Sequence, residues 1–165
     1  MIEEQHVVKV GMADLNVVKT AGIIRTTGLG SCVGLTLYDK NIQLVGMAHV
    51  MLPSSEIARE GQVNIAKYAD TALPELIKRM LGLGASKTRL VAKMAGGAQM
   101  FSFSSGGDHM RIGPRNVEAC KLFLKEQHIP LLAEDTGANY GRTIEMDCTT
   151  GLLSIRSVQM GKKEI

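Results

Sequence analysis

The sequence predicts an α/β protein built on a mostly antiparallel sheet with two long helices. Three observations predict it. Short β-branched runs with period-two alternation recur in both halves of the chain. Two segments carry apolar residues at helical spacing, and compact polar turns join neighbouring runs closely enough for hairpins. At 165 residues the chain fits a single domain over 1–165, with short flexible tails at about 1–5 and 160–165. Such a length buries roughly two-thirds of its unfolded surface without disulfides or metals.

Val7-Val8-Lys9-Val10 and Asn16-Val17-Val18-Lys19 read as two strands leading into a third, Ile23-Ile24-Arg25-Thr26. The third run delivers a glycine-rich loop, Gly28-Leu29-Gly30-Ser31-Cys32. Val33 to Tyr38 then alternates, turns at Asp39-Lys40-Asn41 and returns through Leu44 to Met51, an antiparallel hairpin. Asn64 caps a predicted helix in which Ile65, Ala69, Ala72, Leu73, Leu76, Ile77, Met80 and Leu81 recur at helical spacing. Pro74 falls inside it, so a kink or a break into two pieces is expected there.

Leu90 to Met94 is a further strand, and residues 101–107 form a glycine-rich loop expected near the interaction surface. Gly113-Pro114-Arg115-Asn116 opens the second helix, with Val117, Cys120, Phe123 and Leu124 on its apolar face. Ile129 to Ala133 gives another strand, and residues 143–147 and 152–158 a final hairpin around Thr149-Thr150-Gly151.

Composition excludes several functions. A net charge of +3 without a Lys/Arg cluster, and with only three Tyr, three Phe and no Trp, leaves no footprint for nucleic acid. No apolar run approaches the ~20 residues of a membrane span, and the acidic start Met1-Ile2-Glu3-Glu4 lacks a secretory core, so a cytoplasmic location is expected. The three cysteines, Cys32, Cys120 and Cys148, match neither a disulfide framework nor a zinc knuckle, and no metal or cofactor is expected. Gly28 and Gly30 imitate a dinucleotide fingerprint, but Val33 stands where its third glycine belongs.

Cys120 and Cys148 read as small buried hydrophobes. Cys32 differs: glycines flank it, and the loop is expected to leave its thiol partly exposed, with the N–H groups of the bend aimed at one spot as an oxyanion nest near Gly30 and Ser31. Thiol chemistry needs the thiolate, which an adjacent imidazole supplies by taking the proton. The hairpin brings His49 within a residue or two of lying opposite Cys32, while His6, His109 and His128 fall elsewhere. His49 also fits a structural histidine at a strand end. A third group should orient the ring; no acidic residue is placed for it, and Thr26 and Thr27 both offer hydroxyls.

Spaced motifs then carry a resemblance: Thr26-Thr27-Gly28-Leu29-Gly30-Ser31-Cys32-Val33; Gly46-Met47-Ala48-His49 with Leu52-Pro53; Lys67-Tyr68-Ala69-Asp70; Ala95-Gly96-Gly97-Ala98; Ile112-Gly113 with Arg115-Asn116-Val117; and Asp135-Thr136-Gly137 with Asn139-Tyr140-Gly141-Arg142-Thr143. Together, over roughly residues 7–158, they resemble the CheD family of bacterial chemotaxis, with Ala138 standing where that family usually has a glycine. The resemblance implies a three-layer α/β/α sandwich related to deamidating toxins. It implies a chemoreceptor glutamine deamidase with a catalytic cysteine, histidine and threonine at Cys32, His49 and Thr26. The implied partners are methyl-accepting receptors and the CheC phosphatase; the competing reading is a regulatory binding module for the same partners.

Overall fold

The computed structural model describes residues 6–57, 64–100 and 111–165. Among the described residues, ten strands and two α-helices follow one another as β1 (His6–Val10), β2 (Leu15–Lys19), β3 (Gly22–Leu29), β4 (Val33–Asp39), β5 (Leu44–Val50), α1 (Ala69–Gly82), β6 (Val91–Gly96), α2 (Ile112–Glu126), β7 (Leu131–Thr136), β8 (Arg142–Asp147), β9 (Leu153–Ser157) and β10 (Gly161–Glu164). They form two five-stranded mixed sheets. The central sheet runs β2-β5-β4-β6-β7 and the outer sheet β1-β3-β8-β9-β10.

Burial explains which sheet lies in the middle. Every residue of β4 and of β5 is buried, as strands covered on both faces must be, whereas β8 alternates buried with half-buried residues and so turns one face to water. Val33, Leu35 and Leu37 of β4 pack with Leu73, Leu76, Met80, Cys120 and Leu124 of the helices. On the other face Tyr38, Val45 and Met47 meet Ile24, Leu29, Ile144, Met146, Leu153 and Ile155 of the outer sheet. The α/β class, the mixed sheets, the two long helices and the sandwich are all present. Its three layers are helices, sheet and sheet, because both helices cover the same face of the central sheet and a second sheet takes the place of the expected second helical layer.

The partition of strands departs from the expected single sheet. β1 and β2 are neighbours in sequence, but β1 pairs in parallel with β3 while β2 pairs antiparallel with β5. The β4–β5 hairpin forms as expected, with Gly34 opposite His49 and Val33 opposite Val50. The tail expected at residues 160–165 is a correction: β10 pairs with β9, and Ile165 exchanges both backbone bonds with Leu153. Its run Gly161-Lys162-Lys163-Glu164 lacks apolar alternation, so the ladder alone makes it a strand.

The first helix also breaks elsewhere than expected. Asn64 caps a 3-10 turn, Ile65–Lys67, and Tyr68 in extended backbone separates it from α1. Pro74 sits inside α1, which runs through it unbroken. A proline costs a helix interior ~3 kcal/mol, whereas burying a large aliphatic side chain returns ~1.5–3 kcal/mol, so Leu73, Leu76, Ile77 and Met80 together outweigh it.

Cys120, wholly buried between α2 and the central sheet, has its thiol pushed up to about 12 from 9.0 by burial. A folded-state value above the unfolded one stabilises the fold fully below pH 9.0, and that contribution is lost as pH rises toward 12. Urea unfolding between pH 8 and 11 is therefore expected to show a stability decline steeper in the wild type than in Cys120→Ala, by up to about 1.4 kcal/mol per pH unit. Parallel declines contradict the assignment.

Candidate active site

Thr26 lies on β3 and faces the central sheet, wholly buried, while Thr27 is exposed. Beyond it the ladder slips: Thr26 pairs with Ile144 but Leu29 pairs with Arg142, so β3 holds one extra residue. Gly28 takes φ +73 at this bulge, a left-handed conformation that suits glycine. The bulge redirects the strand into the loop at Gly30, Ser31 and Cys32, all three of which are partly or fully buried.

Side-chain parity then decides which residues meet. Gly34, Thr36 and Tyr38 point from β4 toward the outer sheet, and Cys32, two residues before Gly34, joins the apolar cluster between the sheets. His49 stands opposite Gly34 on β5. Cys32 and His49 are therefore diagonal neighbours on one face, a relation in which side chains come within reach of one another. Thr26 and His49 meet in the space between the two sheets, and Cys32 lies in the apolar cluster of the same space.

The histidine is held from the opposite sheet. His49 Nδ1 lies 2.7 Å from Thr26 Oγ1, and the same hydroxyl donates to the Val10 carbonyl at 2.7 Å. A carbonyl only accepts, so the hydroxyl proton goes to Val10 and the oxygen accepts Nδ1–H. Nε2 is left as an unprotonated acceptor, buried and without a partner among the described residues.

Burial sets the resting charges. Cys32 is 8% exposed, a correction to the expected partly open thiol, because the outer sheet covers the loop. Burial raises its pKa above 9.0, and its own backbone N–H, which favours the thiolate, offsets this only in part. Burial lowers the pKa of His49 below 6.5. At neutral pH both groups are uncharged, and no hydrogen bond links Nε2 to the sulfur.

The loop carbonyls are each held by a donor from elsewhere in the fold. Ala98 N–H donates to Gly30 at 2.9 Å, and Gly97 N–H donates to Cys32 at 2.8 Å. A Cβ at Gly96, whose φ is +105, would lie 2.3 Å from the Cys32 carbonyl oxygen, so only glycine permits this approach. Asn116 of α2 donates from Nδ2 to the carbonyls of Ser31 and Met51, both at 2.9 Å. In the sequence this asparagine stands at a helix start and in the motif Arg115-Asn116-Val117, with no role assigned; its remoteness in sequence hid its place at the loop.

The remaining candidates lie apart. Cys148 is buried with its sulfur accepting the Gly22 N–H at 3.0 Å, and His6 and His128 are exposed. His109 and residues 101–107 fall outside the described residues. Among the described residues no group of three or more His, Cys, Asp and Glu side chains could hold a metal, and no helix is long and apolar enough to cross a membrane.

A helical layer on two stacked mixed sheets, with thiol, imidazole and hydroxyl gathered between the sheets, defines an α/β protein with a buried cysteine–histidine site. The family model described as CheD chemotactic sensory transduction matches residues 51–157. The chain is 59% identical over 159 residues to a chemoreceptor glutamine deamidase CheD of Halalkalibacterium halodurans, covering 96% of this chain and 98% of that one. It is 50% identical over 159 residues to the protein of that name from Bacillus licheniformis, covering 96% and 95%. With that of Bacillus subtilis the identity is 49% over 162 residues, covering 98% of each. The chain belongs to the CheD family.

Substitutions at two positions test the geometry. Thr26→Val keeps the shape but strands the Val10 carbonyl and His49 Nδ1–H, each an unpaired buried group worth about 1–3 kcal/mol. Urea unfolding is expected to show a loss of about 2 kcal/mol or more, with Thr26→Ser near wild type; a loss in Thr26→Val under about 0.5 kcal/mol would mean that the hydroxyl holds nothing. Ala138 adopts φ +57 in the turn after β7, so Ala138→Gly is expected to stabilise by about 1 kcal/mol in the same assay, and a destabilised variant argues against the strained turn.

Proposed function

We propose that this protein deamidates glutamine side chains of methyl-accepting chemoreceptors in the cytoplasm, releasing ammonia and leaving glutamate. The observation that carries the reading is the Thr26–His49 bond, which presents a bare Nε2 on the face shared with Cys32. Family membership and the names of the relatives supply the substrate class.

In this reading Cys32 acts from a neutral pair. As Sγ attacks the carboxamide carbon, its proton passes to Nε2, so no charge sits buried before substrate arrives. The carbonyl oxygen becomes an oxyanion facing the N–H groups of Ser31 and Cys32, donors typically worth about 3 kcal/mol each. His49, now imidazolium, gives its proton to the departing nitrogen, and the C–N bond breaks to release ammonia and leave a thioester. Water then gives a proton to Nε2 and attacks the thioester, and Cys32 leaves and regains its proton. Thr26 keeps Nδ1–H in place throughout, and Gly30 gives the loop its bend.

We include the CheC phosphatase as a binding partner of the same protein. A second reading, a regulatory binding module for receptors and CheC, is favoured by one observation: burial holds the resting thiol in its unreactive form.

Cys32→Ala separates the two. Incubated with receptor, the variant is expected to release no ammonia and to leave receptor mass unchanged while still binding receptor and CheC; conversion at the wild-type rate excludes this nucleophile. The pKa directions add a second test. A thiol raised above 9.0 and an imidazole lowered below 6.5 leave little thiolate at neutral pH. Alkylation of Cys32 by iodoacetamide, followed on its peptide, is expected to climb about tenfold per pH unit through pH 8 to 9, without a plateau near neutrality. A neutral plateau would show a preformed ion pair instead.

A further inference from the structure

Three consecutive carbonyls of the nucleophile loop each have their own donor. Gly30 accepts from Ala98 N–H, Ser31 from Asn116 Nδ2 and Cys32 from Gly97 N–H, at 2.9, 2.9 and 2.8 Å. The outer two donors are backbone groups of one short segment after β6. The middle one is a side chain from α2, and its nitrogen donates a second time, to Met51 at the end of the strand that carries His49. Asn116 thus ties the nucleophile loop directly to the end of the histidine strand.

The chemistry of the contact dictates the residue. Both neighbours are carbonyl oxygens, so the group between them must offer two N–H bonds from one atom without bringing a charge into a site from which water is excluded. A primary amide on a short stem does this, and its orientation is fixed because only Nδ2 can face two acceptors. The consequence is visible on the other side of the amide: Oδ1 is buried and finds no donor among the described residues. An unsatisfied acceptor costs stability, and a helix residue chosen for stability alone would not carry it.

We propose that Asn116 is a positioning residue for the cysteine chemistry: it clamps the Ser31 carbonyl to the Met51 carbonyl and so sets the separation of the Cys32 sulfur from His49 Nε2. It touches neither substrate nor the reacting atoms. By turning the Ser31 carbonyl aside, the clamp also keeps an acceptor dipole away from the place where negative charge develops. This inference rests on the deamidase reading for its kinetic consequence, while its effect on the thiol stands apart from that reading.

The test uses Asn116→Asp, which keeps shape and replaces both donors with acceptors, and Asn116→Ser, which is smaller and keeps one donor. Each full-length variant is assayed for receptor deamidation and for iodoacetamide alkylation of Cys32 against pH without receptor. The expected result for Asn116→Asp is a kcat lower by roughly tenfold to a hundredfold, as small misplacements of reacting groups produce, with KM within about twofold. Its alkylation profile is displaced from wild type, and Asn116→Ser lies between the two. If Asn116→Asp does not fold, Asn116→Ser is read by the same criteria against wild type. Wild-type kcat with a wild-type alkylation profile overturns the clamp, whatever the thermal stability. Displaced alkylation in a protein whose wild type deamidates no receptor sinks the deamidase reading and leaves the clamp standing.

Discussion

One hydroxyl joins the two sheets at the point where the chemistry gathers. Thr26 reaches from β3 to His49 on β5, and because its proton is committed to the Val10 carbonyl it can only accept from the ring. The outer sheet thereby selects the tautomer of a histidine on the central sheet. Everything else at the site follows from that selection, since a ring with Nδ1–H has its basic nitrogen at Nε2, on the face it shares with the cysteine.

The stacking of two sheets has a cost for the same chemistry. Covering the loop from the outer sheet keeps water from the thiol, and burial then disfavours both thiolate and imidazolium. A neutral pair is the result, and in the proposed mechanism the proton moves only when a substrate carbonyl is there to be attacked. Burial that weakens a thiol at rest strengthens every dipole aimed at the oxyanion, because each acts in a medium poor in water.

Much of this was legible in the chain, and the exceptions share a cause. The β4–β5 hairpin could be read because alternation and a short turn fix local register, and counting outward from Asp39-Lys40-Asn41 put His49 within two residues of lying opposite Cys32, as the Gly34–His49 pairing does. What could not be read was long-range partnership. Nothing in Val7-Val8-Lys9-Val10 or Asn16-Val17-Val18-Lys19 says that they belong to different sheets, and the choice between Thr26 and Thr27 turned on family resemblance until the outer sheet put one inside and the other out. The covered thiol, the strand at Gly161–Glu164 and the two bonds of Asn116 likewise depend on segments far away in sequence.

The central claim concerns a single proton on a single ring. Nitrogen NMR of the intact protein labelled in its histidines reads it directly: at neutral pH the His49 signals are expected to show a protonated Nδ1 and a bare Nε2, persisting below pH 6.5 where an ordinary histidine charges. A ring found with its proton on Nε2, or already charged at neutral pH, would contradict the account.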